Sequence, residues 1–218
     1  MLKILVIRHG ETSWNKDKIF RGRVDISLSE IGRQQADLLS RKLSGQPIQS
    51  IYASPLKRAV ETALTIQEGQ SGSTPIIQED QLIDIDYGSW EKKSHIQVQQ
   101  EFPDLYQQWL DAPHTVQIPE GENLSSIRRR IETLLDRLVT QHGQGEGVAT
   151  IALVSHRVTI KILLCAVLGL DNSHFWQIKQ DTAAFSVLDY QAGRFILAGL
   201  NDICHLSELK DKMSNSDF

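Results

Sequence analysis

The chain has 218 residues, 40% hydrophobic and 23% charged, with a formal net charge of -4. That composition suits one folded domain and excludes intrinsic disorder, and the acidic balance argues against nucleic acid as a partner. No apolar run reaches the roughly 18 residues of a membrane span, and the only cysteines, Cys165 and Cys204, lie far apart and outside metal-type spacing, so a reducing cytoplasm is the expected setting.

Leu2, Ile4, Leu5, Val6 and Ile7 make a near-continuous apolar run, the pattern of a strand covered on both faces of a parallel sheet rather than of a signal peptide. It stops at Arg8, His9 and Gly10, and in open α/β sheets ligands sit beyond the carboxyl ends of strands. The polar stretch "ETSWNKDKIFRGRVD" reads as a loop. A helix follows, with Ile31, Gln35, Leu38, Leu39 and Leu43 on one face and a capping box from Ser27 and Glu30. Ile51–Ala53 reads as a short strand, then a helix with Ser54 at the N-cap and Pro55 at its first position. "TPIIQ" suggests another short strand.

Between about residues 80 and 146 the character changes. "DIDYGSWEKKS" is turn-rich, one helix is expected around Ile96–Leu110, and Leu124, Ile127, Ile131, Leu134, Leu135 and Leu138 mark an amphipathic helix ended by "QHGQGEG". "VATIALVSHR" is a second apolar strand running into a histidine and an arginine. A helix over Ile160–Leu168 and a strand pair, "FSVLDY" with "RFILAGL", complete the chain. Alternating strands and helices predict a single α/β domain over 1–218: three α/β/α layers around a mostly parallel sheet, with the 80–146 segment as a helical insertion roofing the site and setting substrate choice.

Two predicted core strands thus each deliver a histidine beside an arginine, at Arg8-His9 and at His156-Arg157, and a third leads to the helix carrying Arg58. Guanidinium groups bind oxyanions bidentately and keep their charge, and imidazole can attack covalently. The combination points to phosphoryl transfer through a phosphohistidine with no metal or other cofactor. His95, His114, His142, His174, His205 and Cys165 read as structural. Arg128, Arg129 and Arg130 read as a solvated helix face, and Trp90, Tyr106 and Trp109 as packing.

"LVIRHGETSWN", "FRGRVDISLSEIGRQQADLL", "IYASPLKRAVETA", "DYGSWE" and "ALVSHRVTIKILL" together resemble the histidine phosphatase superfamily, the phosphoglycerate mutase-like proteins, in the family's order and over nearly the whole chain. The resemblance implies the phosphoglycerate mutase-like fold, His9 as the nucleophile, and Arg8, Arg58 and His156 as the phosphoryl clamp. It further implies Asn15 and the backbone at Gly22 as the rim of the phosphate pocket, with Thr12 in the same region. In the family a glutamate four residues before a glycine protonates the leaving oxygen, and "LIDIDYGSWE" places Asp84 there, one methylene shorter. A free aspartic acid titrates near 3.9, so this role requires substrate charge or burial to raise it. Asp86, Glu79 and Glu91 are the alternatives. Arg157 stands where the family commonly has glycine, and either joins the pocket or points to solvent.

The expected function is a histidine acid phosphatase-type phosphomonoesterase acting on a small phosphorylated metabolite: a phosphosugar, phosphoglycerate, phosphoserine or a nucleotide-like ester such as α-ribazole phosphate. A phosphoglycerate mutase is the alternative, disfavoured because the chain is compact between Trp90 and Glu120 and shows no long tail to close the site. A non-catalytic phosphate binder leaves His9 without a purpose, and a metal held by His9 and His156 lacks the ligand spacing of zinc. Oligomeric state is open, a homodimer included.

Overall fold

The computed structural model describes residues 1–15, 18–143 and 147–212. The first apolar run is β1 (Leu2–Arg8), every residue of which is buried except Lys3. It lies at the middle of a six-stranded sheet with β2 (Ser50–Ala53), β3 (Ile76–Gln78), β4 (Ala149–Ser155), β5 (Phe185–Gln191) and β6 (Arg194–Asp202), in the order β3-β2-β4-β1-β5-β6. β3, β2, β4 and β1 are parallel, and the β5–β6 hairpin adds to β1 antiparallel. The sheet is therefore mixed.

Alternation along β1 separates two cores, because successive side chains leave opposite faces of a strand. Leu2, Ile4 and Val6 pack with the inner faces of α5 (Leu124–His142) and α6 (Arg157–Val167), through residues such as Ile131, Leu134, Ile160 and Leu164. Leu5 and Ile7 pack with Leu39 and Leu43 of α1 (Glu30–Leu43) and with Ala59, Ala63 and Ile66 of α2 (Lys57–Glu68). These are the two helical layers the sequence predicts. The fully buried faces of α5 and α6 place the stabilising apolar burial there, at about 25 cal/mol per Å².

Three boundaries differ from the sequence reading. α1 is capped by Ser29, whose hydroxyl accepts from the Gly32 amide, rather than by Ser27. α2 begins at Lys57 with Leu56 at the N-cap. Ser54 Oγ meets His156 and takes only a long 3.4 Å bond from the Leu56 amide, while the Asp25 carboxylate accepts from the Lys57 amide at 2.7 Å. The single helix expected over Ile96–Leu110 is two, α3 (His95–Glu101) and α4 (Pro103–Asp111). Pro103 lacks the amide that would continue the first and forces Phe102 out of helical conformation (φ -134, ψ 57).

The arginine run also departs from a uniformly solvated face. Arg128 donates to the Leu170 carbonyl at 2.6 Å. Arg130 donates to the carbonyls of Gln81 and Asp84 and pairs with Glu122, while Arg129 alone of the three is exposed. Trp90 and Trp109 are buried and meet edge to face, with centroids 6.1 Å apart, as packing residues. Gly143 ends α5, and residues 144–146 of the predicted terminator lie outside the described residues. Among the described residues no helix is long and apolar enough to cross a membrane.

Candidate active site

The site is produced by register. β1 and β4 pair in parallel with Arg8 opposite Ser155, so His9 and His156 follow one step later on adjacent strands. Their ring centroids are 5.0 Å apart, close to the ~4.8 Å strand spacing of a sheet. β2 pairs with β4 on its other side, Ala53 opposite Val154, which places Ser54 beside His156. Chain direction reverses around this point: β2 and β3 lie to one side of β4, and β5 and β6 lie beyond β1. Such a topological switch opens a crevice at the carboxyl ends. Gly10 is required by the approach of α1, since a Cβ there would lie 2.5 Å from the Gly32 carbonyl oxygen.

His9 is buried, and its Nδ1 lies 2.6 Å from the Gly10 carbonyl. A carbonyl only accepts, so Nδ1 carries the proton and Nε2 is left with a lone pair. Burial, then the cations Arg58, Arg21 and Arg8, hold the ring neutral by pushing its pKa well below the ordinary value.

His156 is fixed in the opposite tautomer. Arg58 Nε donates to its Nδ1 at 3.2 Å, so the proton resides on Nε2, which donates to Ser54 Oγ at 2.7 Å. Both nitrogens are occupied, and in this arrangement His156 acts by setting the plane of Arg58. Burial and the Arg58 charge also keep its pKa well below normal.

Arg58 is fully buried and held on every nitrogen: Nη1 donates to the Val24 carbonyl, and Nη2 to the Gly22 carbonyl and the Asp84 carboxylate. Gly22 takes a left-handed φ of +50, and a Cβ there would strike Glu91 Oε1 at 2.2 Å. Its role here is as the acceptor that anchors Arg58. Asp84 is 6% exposed and accepts from Arg58 Nη2 at 3.3 Å and from the Ile85 amide at 3.0 Å. The alternative carboxylates are engaged elsewhere: Asp86 with Arg23, Glu79 with Arg137, and Glu91 with the Arg23 amide. Among the described residues only Asp84 stands within ion-pair distance of Arg58 and His156.

Arg8 is buried and donates to the Gln180 carbonyl. Asn15 Oδ1 accepts from both the amide and the hydroxyl of Thr12. Its Nδ2 is buried with no protein partner among the described residues, on a side chain that lines a hollow. That is an open donor for an anionic ligand. Thr12 Oγ1 in turn accepts from Arg21 Nη1 at 3.0 Å, so Thr12 organises the wall.

The structure brings His9, His156, Arg58 and Asp84 together, sets Asn15, Gly22 and Arg157 along the adjoining hollows, and adds four residues. Arg21 lines the pocket; burial, then repulsion from Arg8 and Arg58, lowers its pKa to about 9. The sequence offered "FRGR" without distinguishing Arg21, which turns inward, from Arg23, which pairs with Asp86 and Glu122. Ser54 was read as a helix cap. His95, read as structural, stacks on Phe20 with centroids 4.3 Å apart and forms the pocket wall, its Nδ1 held by the Tyr106 hydroxyl. Burial, then Arg157 and Lys18, push its pKa down to about 4. Tyr87, from the same inserted segment, completes that wall. Arg157 lines the pocket and does not point to solvent.

An α/β/α sheet presenting a neutral histidine among buried arginines at its switch point defines a phosphoryl-handling protein of a particular class. The chain belongs to the histidine phosphatase superfamily (branch 1), whose family model matches residues 4–203. It is similar to phosphoserine phosphatase 1 of Hydrogenobacter thermophilus, with 36% identity over 95% of this chain and 96% of that one. Among solved structures it resembles YhfR of Bacillus stearothermophilus, with a TM-score of 0.87 and 30% identity over 94% of this chain and all of that one. It also resembles a putative alpha-ribazole-5'-P phosphatase of Escherichia coli, with a TM-score of 0.83 and 25% identity over 92% of this chain and 96% of the other.

Proposed function

We propose that the protein hydrolyses small phosphomonoesters through a phosphohistidine on Nε2 of His9, without a metal ion. The observation that carries this reading is the lone pair of a neutral His9, buried against Arg8, Arg21 and Arg58. In the first step Asp84, which takes up a proton as the anionic ester enters beside it, gives that proton to the departing alkoxide while Nε2 attacks phosphorus in line and the phosphorus–oxygen ester bond breaks. Arg8, Arg21 and Arg58, with Nδ2 of Asn15, neutralise the equatorial oxygens. In the second step water gives a proton to the ionised Asp84 and attacks phosphorus. The phosphorus–nitrogen bond breaks, and phosphate and neutral His9 are restored. The 80–146 segment contributes Asp84, Tyr87 and His95 to the walls and so bears on substrate choice. The same reading assigns a cytoplasmic enzyme, in keeping with the free thiols of Cys165 and Cys204.

The test is turnover of p-nitrophenyl phosphate and a panel of metabolite esters by wild type and His9→Ala, with and without EDTA, alongside alkaline-quench trapping of enzyme labelled from a radioactive phosphate ester. The wild type is expected to form an acid-labile, alkali-stable phosphoenzyme and to be indifferent to EDTA. Undiminished turnover by His9→Ala overturns the mechanism. With 3-phosphoglycerate and a bisphosphate primer, phosphate release is expected to outrun isomerisation; the reverse identifies a mutase.

A further inference from the structure

The end of β6 brings together three metal-binding side chains that the phosphoryl site does not use. Asp202 closes the strand, and Cys204 and His205 open the 3-10 segment Cys204–Lys212 that follows it. A carboxylate oxygen of Asp202, the sulfur of Cys204 and a ring nitrogen of His205 all lie within 4.8 Å of one another, the only such group among the described residues. The Asp202 carboxylate is folded back onto this group, accepting from the Cys204 amide at 2.8 Å and from its thiol. Donor atoms around a tetrahedral zinc stand about 3.3–3.8 Å apart. Cys204 is exposed, so rotation of its side chain closes the remaining distance.

His205 carries the observation that points to a ligand. Its Nε2 lies 3.1 Å from the Ala183 carbonyl, which only accepts, so Nε2 holds the proton. The lone pair is left on Nδ1, which is buried and has no protein partner among the described residues. A buried acceptor without a partner is costly, and a bound cation relieves that cost. Metal-ligating histidines are held in this way, one ring nitrogen donating to a backbone carbonyl and the other bare. Lys42 of α1 is a cation near Asp202 and His205, so charge alone does not draw an ion here and the thiolate must contribute. A thiolate and a carboxylate neutralise a divalent ion, and sulfur with imidazole selects zinc over magnesium or calcium.

We propose that Asp202, Cys204 and His205 form a structural site for a divalent cation of the zinc class, with water in the fourth position on the exposed side of Cys204. On binding, the thiol gives its proton to solvent and a metal–sulfur bond takes its place. None of the three residues lines either hollow of the active site. The site adjoins the backbone of the nucleophile instead: the Ala183 amide donates to the His9 carbonyl at 3.2 Å, and Ala183, at a left-handed φ of +52, gives its own carbonyl to His205. A cation there pins the end of β6 to that turn and leaves the phosphoryl transfer to His9, so the site and the reaction stand or fall separately.

The experiment titrates the reduced full-length protein with Co²⁺, a spectroscopic substitute for zinc, in phosphate-free buffer. Wild type should develop a thiolate-to-cobalt charge-transfer band that saturates at one equivalent and is bleached by Zn²⁺. Cys204→Ser, at an exposed position, should lose the band while its circular dichroism stays native. His205→Gln and Asp202→Asn should weaken cobalt binding at least about tenfold, since even the outer-shell partner of a ligand is worth that much. His9→Ala should keep the band. Cobalt should also raise the Tm of wild type and not that of Cys204→Ser. A wild type without a saturable band, a band that survives in Cys204→Ser, one that vanishes in His9→Ala, or an unaltered affinity in His205→Gln overturns the proposal.

Discussion

Replacing Ser54 with alanine removes one oxygen from a fully buried position and deprives two donors of their acceptor. His156 Nε2 lies 2.7 Å from that oxygen and the Leu56 amide 3.4 Å. The first bond is short and the second near the limit of a hydrogen bond, so the cost falls mainly on the imidazole. A buried N–H left without an acceptor costs about 1–3 kcal/mol. For a domain of this length each kcal/mol shifts Tm by roughly 2–4 °C, so Ser54→Ala should melt about 2–12 °C below wild type by calorimetry. The catalytic consequence follows from tautomer logic. The Nε2 proton keeps Nδ1 free to accept from Arg58 Nε, and that bond sets the guanidinium plane facing the phosphoryl group. Mis-setting one charged donor, worth about 1.5–3 kcal/mol, lowers kcat/KM for a phosphomonoester on the order of ten- to hundredfold. A Ser54→Ala protein with wild-type Tm and wild-type kcat/KM would show that the Ser54–His156–Arg58 relay has no energetic content.

Asp84→Asn keeps size and removes the transferable proton. Turnover of alkyl phosphates should drop about 10²–10⁴-fold, and turnover of p-nitrophenyl phosphate, whose leaving group needs little protonation, much less; equal losses on both count against Asp84 as the acid. Gly32→Ala places a Cβ 2.0 Å from the Glu11 carbonyl oxygen, and an overpacked backbone contact of this kind should destabilise by about 1–3 kcal/mol, read as a lower urea midpoint. Arg130→Met cuts the ties to the Gln81 and Asp84 carbonyls and to Glu122; kcat should fall several-fold while the far-ultraviolet circular dichroism stays native, and an unaltered kcat refutes a positioning role. Stability should also depend on pH in one direction. His9 and His156 are neutral in the fold with pKa values well below 6.5, and His95 lies near 4. The unfolded chain therefore binds more protons than the native one once pH drops below about 6.5, and Tm should start to decline there. A Tm that stays flat from pH 7 down to 5 contradicts the buried neutral histidines.

Much of the architecture was legible because it is written in local pattern. The unbroken apolar runs at Leu2–Ile7 and Ile151–Val154 state that both faces are covered, and the spacing of Leu124 through Leu138 states that one helix face is. Pro103 shows how such a reading errs. The apolar periodicity across Ile96–Leu110 is genuine, yet one missing amide divides the helix. Ser54 errs differently. In sequence it is an ideal cap before proline, yet the short bond to its hydroxyl comes from a distant imidazole.

By itself, then, the sequence determined the strand ends that bear Arg8-His9 and His156, the helix that carries Arg58, and the series of motifs that marks the family. The tertiary structure alone decided which of two arginines around Gly22 turns inward, that Arg157 lines the pocket, that His95 belongs to its wall and that Arg130 braces the segment holding Asp84. The physical reason is the range of the information. Periodicity records which face of an element is buried, because burial acts on every turn or every second residue. It does not record which element lies opposite, and the contact between His9 and His156 depends on β4 inserting beside β1 late in the chain and in one register.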